Sequence, residues 1–69
     1  MIRCNLSVLM GQKKLNIAEL ARDTGVHRNS LTLLYKEQAS RVELEVVEKL
    51  CRYFDCSICD LFEIVDESV

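Results

Sequence analysis

The chain has 69 residues, 49% of them hydrophobic, with nine basic and eleven acidic side chains. This length allows a single domain, and the apolar content excludes intrinsic disorder. Because no apolar run reaches the roughly 20 residues of a membrane span and the first residues lack a signal peptide's long apolar stretch, we expect a cytoplasmic protein.

Charge is distributed unevenly along the chain. The first 41 residues contain seven basic and three acidic side chains, for a net charge of +4. The residues from 42 onward contain two basic and eight acidic side chains, for a net charge of −6. This asymmetry favours an anionic partner for the first half of the chain.

Apolar residues recur at helical spacing, and helix breakers are rare, with no Pro and two Gly. The pattern predicts a first helix over residues 2–12. Its apolar face consists of Ile2, Leu6, Leu9 and Met10. A second helix is predicted over residues 17–23, since Asn16 and Glu19 have the spacing of a capping box.

Residues 17–36 are typical of two helices that cross at a steep angle. A third helix is predicted over residues 28–36, with Leu31 and Leu34 on its inner side. Gly25 can adopt the positive φ that the turn requires, and the apolar Val26 follows it. These features favour a helix-turn-helix.

The remainder of the chain predicts a fourth helix over residues 43–54 and a fifth over residues 57–64. The inward stripe of the fourth helix comprises Leu44, Val47, Leu50, Cys51 and Phe54. For residues 65–69 the sequence does not distinguish a frayed end, a longer helix or a short strand.

The segment ELARDTGVHRNSLTLLYKE resembles the helix-turn-helix of the lambda-repressor-like (Cro/cI, xenobiotic-response-element type) DNA-binding domains. RVELEVVEKLCRYFDCSICDLFEIV resembles their fourth and fifth helices, and LCRYFDCSICDL is similar to a subgroup of small bacterial and phage regulators. The resemblance spans residues 2–65. It implies an all-α, compact five-helix domain whose third helix enters the DNA major groove.

Two departures from the family pattern concern phosphate binding and the loop after the third helix. Ile17 stands where the second helix often begins with a phosphate-binding Gln. Residues 35–37 read Tyr-Lys-Glu, where the family often reads Glu-Asn-Gly. We therefore expect a different side-chain clamp at the second helix and a different course for the loop.

Exposed residues in the first two turns of a recognition helix contact base edges. Arg can form two hydrogen bonds with guanine, Asn can form two with adenine, and Thr and Leu can pack on a thymine methyl group. The predicted base contacts are Arg28, Asn29, Thr32 and Leu33. For Arg28 and Asn29 the alternative is a merely solvated first turn.

Phosphate contacts are expected from the amides at the start of the second helix, where the helix dipole favours an anion. The side chains predicted to help are Lys13, Lys14, His27, Ser30, Lys36 and Arg41. Helix capping is an equal alternative for His27, and Ser30 is also placed to reach a base.

The resemblance implies a sequence-specific transcriptional regulator, expected to be a repressor, that binds a palindromic double-stranded DNA operator as a homodimer. Candidate dimer residues are Phe62, Ile64 and Val65, with a place in the monomer's own core as the alternative for Phe62. The alternative function is a protein-interaction module such as an antitoxin or anti-repressor. A chain of this length leaves no room for a separate small-molecule domain.

Cys56 and Cys59 form a C-x-x-C, the spacing of zinc ribbons and redox motifs. Zinc requires four ligands, but Cys4 is distant in sequence and His27 belongs to the predicted DNA side. Cys51 and Cys56 are therefore predicted to be small core residues, with Cys59 partly exposed. No metal, cofactor or catalytic residue is predicted, because no phosphate loop, carboxylate pair or nucleophile–base pair is visible.

Overall fold

Five helices and one two-stranded sheet make up residues 1–66, the part of the chain that the computed structural model describes. The elements in chain order are β1 (Ile2–Cys4), α1 (Leu6–Gln12), α2 (Ile17–Thr24), α3 (Arg28–Tyr35), α4 (Leu44–Phe54), α5 (Ile58–Leu61) and β2 (Phe62–Ile64). The predicted five-helix fold class is confirmed. No helix within these residues is long and apolar enough to cross a lipid bilayer.

The sheet corrects the prediction at both ends of the chain. Residues 2–4 form a strand rather than the first turn of α1, and α5 ends at Leu61 rather than near residue 64. β1 and β2 pair antiparallel, with Ile2 opposite Ile64. Short apolar segments containing β-branched residues suit either element, and here the pairing of two distant segments favours the strand. Residues 67–69 of the undecided tail lie outside the described residues.

The ends of α2 are formed as the sequence predicts. The Glu19 amide donates to the Asn16 side chain at 2.8 Å, and the Asn16 amide donates to the Glu19 carboxylate at 3.2 Å. At the other end, Gly25 has a φ of 75°, and its amide donates to the Ala21 carbonyl. The capping box and the positive φ in the turn are confirmed.

The other long helices end on residues with side chains in the left-handed conformation. Their φ values are 55° at Lys14 after α1, 57° at Glu37 after α3 and 52° at Asp55 after α4. In each case the next amide donates to a carbonyl five residues earlier, as in a Schellman motif; these bonds are Leu15 to Met10, Gln38 to Leu33 and Cys56 to Cys51.

Most elements contribute to one apolar core. The buried residues are Cys4, Leu6, Met10, Leu20, Val26, Leu31, Leu34, Val47, Leu50, Phe54 and Leu61. Two predicted inward residues are exposed instead. Leu44 is 85% exposed because it begins α4 beyond the edge of the core, and Ile2 is 66% exposed at the outer end of the sheet.

Candidate nucleic-acid interface

The buried residues of α3 show which side of the helix faces outward. Leu31 and Leu34 face the core. Because successive residues of an α-helix are about 100° apart, the opposite side centres on Asn29 and Lys36. This side of α3 is exposed to solvent along the length of the helix.

All four predicted base-contacting residues lie on or beside that outward side. Arg28 begins α3, and Arg28, Asn29 and Leu33 are exposed, while Thr32 is half-buried. We call these four residues the recognition surface. Their side chains offer hydrogen-bond donors, an amide, a hydroxyl and an apolar group, which match the groups presented in a DNA major groove.

The start of α2 offers backbone donors. The first amides of any helix have no partner within the helix, and the Asn16 cap satisfies that of Glu19. The amides of Ile17 and Ala18 therefore remain available to an anion. Lys13 and Lys14 are exposed in the turn that leads into this helix.

The other predicted phosphate-contacting residues surround α3. His27 occupies the position before the helix, but its side chain makes no capping hydrogen bond. Lys36 is exposed at the end of the helix. Ser30 and Arg41 line a recess of about 270 Å³ between α3 and the segment before α4.

Each of the three acidic side chains in the basic half of the chain has an intramolecular hydrogen bond. Glu19 accepts from the Asn16 amide, and Glu37 accepts from the Cys4 amide at 3.1 Å. Asp23 accepts from the Tyr53 hydroxyl at 2.9 Å and from Arg22 at 3.1 Å. These carboxylates are therefore held by protein partners around α2 and α3, while Arg28 and Lys36 extend into solvent.

The Asp23–Tyr53 hydrogen bond connects the end of α2 to α4. The hydroxyl of Tyr53, and next Arg22, lower the pKa of the Asp23 carboxyl, since both donate to its charged form. The same bond is the main cause of a raised pKa at Tyr53. Sequence reasoning missed this contact, because neither residue belongs to a recognisable motif.

A second surface was also missed. A groove of about 370 Å³ lies between the sheet and the start of α4, and we call it the apolar groove. It is lined by Ile2, Cys4, Leu34, Glu37, Ala39, Ser40, Arg41, Val42, Leu44, Val47, Ile58 and Phe62. Phe62 also packs partly on the core, as the alternative for that residue anticipated, whereas Ile64 is 80% exposed.

The cysteines are distributed as the packing interpretation predicts. Cys51 and Cys56 are half-buried against the core, and Cys59 is exposed. Among residues 1–66, no three His, Cys, Asp or Glu side chains are placed to hold a metal ion.

Comparison with known proteins relates this geometry to a described family. Residues 5–67 match the Cro/C1-type HTH DNA-binding domain. The protein described as "Uncharacterized HTH-type transcriptional regulator YozG" from Bacillus subtilis (strain 168) is 25% identical over 59 residues. These residues cover 86% of this chain and 70% of that relative.

Proposed function

The chain belongs to the Cro/C1-type helix-turn-helix DNA-binding domains, and from this premise we propose a transcriptional repressor that reads its operator with α3 in the major groove. Membership of the family makes the chain a DNA-binding regulator rather than an enzyme. Repression is proposed because a domain bound across a promoter blocks access by occupancy alone. We propose that it acts in the cytoplasm of a bacterium or of a phage-infected cell.

The recognition surface is the observation that carries this proposal. Its side chains project from the first two turns of α3, away from the core. Arg28 would read guanine and Asn29 adenine, each by paired hydrogen bonds, while Thr32 and Leu33 would contact thymine methyl groups. Each paired hydrogen bond would discriminate between bases by about 1–3 kcal/mol.

Phosphate contacts would fix the register of α3 in the groove. The amides of Ile17 and Ala18, with Lys13 and Lys14, would hold one strand. Ser30, Lys36 and Arg41 would hold the other, with His27 near the centre. Backbone amides at the start of α2 would replace the side-chain clamp that Ile17 cannot provide.

We propose that the DNA-bound form is a homodimer on a palindromic operator. The apolar groove includes residues 39–42, which follow α3 after a three-residue turn, so a second copy seated there would lie near the end of that helix. Leu44 projects from the edge of the groove with 85% exposure, and Ile64 extends the apolar surface. In a two-fold pair, each Leu44 would insert into the partner's groove.

An antitoxin or anti-repressor remains the second candidate, and one feature of α3 favours it. Leu33 and Tyr35 are each 45% exposed, which would suit a protein partner as well as thymine. Affinity for random duplex DNA, measured by fluorescence anisotropy at several salt concentrations, separates the two functions.

A DNA-binding repressor should lose affinity steeply with salt, because each neutralised phosphate contributes about −0.9 to the slope of log K against log salt concentration. Five or six phosphate contacts would give a slope of log K against log salt concentration of about −5. Lys36→Gln should make the slope shallower, whereas Lys49→Gln, on the outer side of α4, should not change it. A flat slope, or no binding at low salt, would support the protein-interaction module instead.

A further inference from the structure

The turn between α4 and α5 places two cysteines side by side, and they are not the C-x-x-C pair. The Cys56 amide donates to the Cys51 carbonyl at 2.9 Å, which closes the turn through Asp55 in the left-handed conformation. Both cysteine side chains pack against the same apolar core. Cys59 lies on the exposed side of α5.

The backbone geometry of this turn suits a disulfide. The path from one Cα through the hydrogen-bonded carbonyl and amide to the other Cα limits their separation to about 6.8 Å. Disulfides need Cα atoms roughly 4.4–6.8 Å apart. Both side chains are half-buried against the same core, so they lie on one side of the turn and remain partly accessible to a small oxidant.

We propose that Cys51 and Cys56 are a thiol pair that peroxide closes reversibly to a disulfide. Hydrogen peroxide first converts one thiol to a sulfenic acid and releases one water molecule. The second sulfur then attacks the sulfenic sulfur, the S–O bond breaks, and a second water molecule leaves. Two thiols and one peroxide thus give one disulfide and two waters, and a dithiol reductant reverses the step.

The surroundings of the pair affect both the rate of its oxidation and the rigidity of the turn. Burial, and next the neighbouring Cys51, raise the pKa of the Cys56 thiol, which keeps it protonated at neutral pH and makes its oxidation slower than that of a free thiolate. A bond across the turn would also stiffen the junction between α4 and α5. Ile58, which lines the apolar groove, begins α5 just after this turn.

Non-reducing tryptic mapping tests the pair directly, because trypsin cuts between its members. Cleavage after Lys49 and Arg52 leaves Cys51 in the peptide 50–52, whereas Cys56 and Cys59 share the peptide 53–69. After peroxide treatment of the folded chain, we expect these two peptides to be linked in the wild type and in Cys59→Ser. The link should be absent from Cys56→Ser and should disappear with dithiothreitol.

The same reaction in denaturant is the matched control, since an unfolded chain should give mixed pairings. The folded, oxidised protein should also melt a few degrees higher than the reduced one, because the bond restricts the unfolded chain. A disulfide confined to peptide 53–69, thiols joined between molecules, or thiols in the folded chain that stay free however long the peroxide treatment lasts would each overturn the proposal.

Discussion

The Glu37 carboxylate accepts a hydrogen bond from the Cys4 amide at 3.1 Å, which fastens β1 to the turn that follows α3. Glu37 itself has a φ of 57°, a conformation that costs a residue with a side chain about 1 kcal/mol more than it costs glycine. The family pattern places glycine at this point. The hydrogen bond to the strand gives a physical reason for glutamate there.

Two substitutions separate the side-chain bond from the backbone strain at Glu37. Glu37→Ala should lower the free energy of unfolding by about 1–2 kcal/mol, because the Cys4 amide loses its partner while the strain remains. Glu37→Gly should recover about 1 kcal/mol of that loss. Gln38→Ala, the neighbouring exposed residue, serves as the control in urea denaturation. Equal stability of the alanine variant and the wild type would show that the bond contributes nothing.

The two glycines should respond in opposite directions to the same substitution. A Cβ atom would meet nothing within 4 Å at either position, but only Gly25 has a positive φ. Gly25→Ala should therefore destabilise the protein by about 1–2 kcal/mol through backbone strain alone. Gly11→Ala, within α1, should stabilise it by about 0.5–1 kcal/mol. Thermal melting measures both, and a neutral Gly25→Ala would contradict the turn geometry.

Local signals in the sequence predicted the helix-turn-helix well. The capping box at Asn16, the turn at Gly25 and the buried Leu31 and Leu34 depend on residues close together in the chain. The sheet depends on pairing between residues 2–4 and 62–64, about 60 positions apart, which helical periodicity does not reveal. The exposure of Leu44 likewise depends on where the core ends, which a helical stripe does not indicate.

The Asp23–Tyr53 hydrogen bond should contribute to stability over a defined pH range. Because the folded-state pKa of Asp23 lies below its ordinary value of 3.8, the contribution is present above that pH and is lost as pH falls through the lowered pKa. The raised pKa of Tyr53 keeps the contribution present below pH 10.0, and it is lost as pH rises through the folded-state value.

Tyr53→Phe should therefore be less stable than the wild type at neutral pH, and the difference should disappear in acid below the folded-state pKa of Asp23. Chemical denaturation at a series of pH values measures this difference. Tyr35→Phe, on the exposed side of α3, is the matched control. A stability difference for Tyr53→Phe that does not change with pH would mean that the lost hydroxyl acts through packing rather than through the carboxylate.

The proposed dimer predicts a specific effect of charge at the apolar groove. Leu44→Glu should weaken self-association at least tenfold in sedimentation equilibrium, because it places a carboxylate in the partner's groove. The melting temperature at low protein concentration should change little, since the side chain is 85% exposed in the single chain. Val8→Glu, at a 52% exposed apolar position on α1, is the control. If Leu44→Glu and Val8→Glu self-associate equally strongly, the dimer interface does not include the apolar groove.

The four residues proposed to read bases could be named from the sequence, because the family resemblance and the phase of the helix both point to Arg28, Asn29, Thr32 and Leu33. The sequence did not predict the hydrogen bonds of Asp23 and Glu37 or the apolar groove, because each depends on contacts between distant elements. The sequence does show a bulky acidic residue at position 37, where the family pattern often has glycine. Its hydrogen-bond partner, the Cys4 amide in β1, is apparent only from the structure.

Selection of bound sequences from random duplex DNA tests the central claim, that α3 reads bases, most directly. We expect a symmetric motif with half-sites about one helical turn apart. Arg28→Ala should lose the preference for one guanine in each half-site, equivalent to about 1–3 kcal/mol, and keep the remainder of the motif. Arg52→Ala, on the outer side of α4, should select the wild-type motif. An unchanged motif for Arg28→Ala, or no motif for the wild type, would contradict base reading by α3.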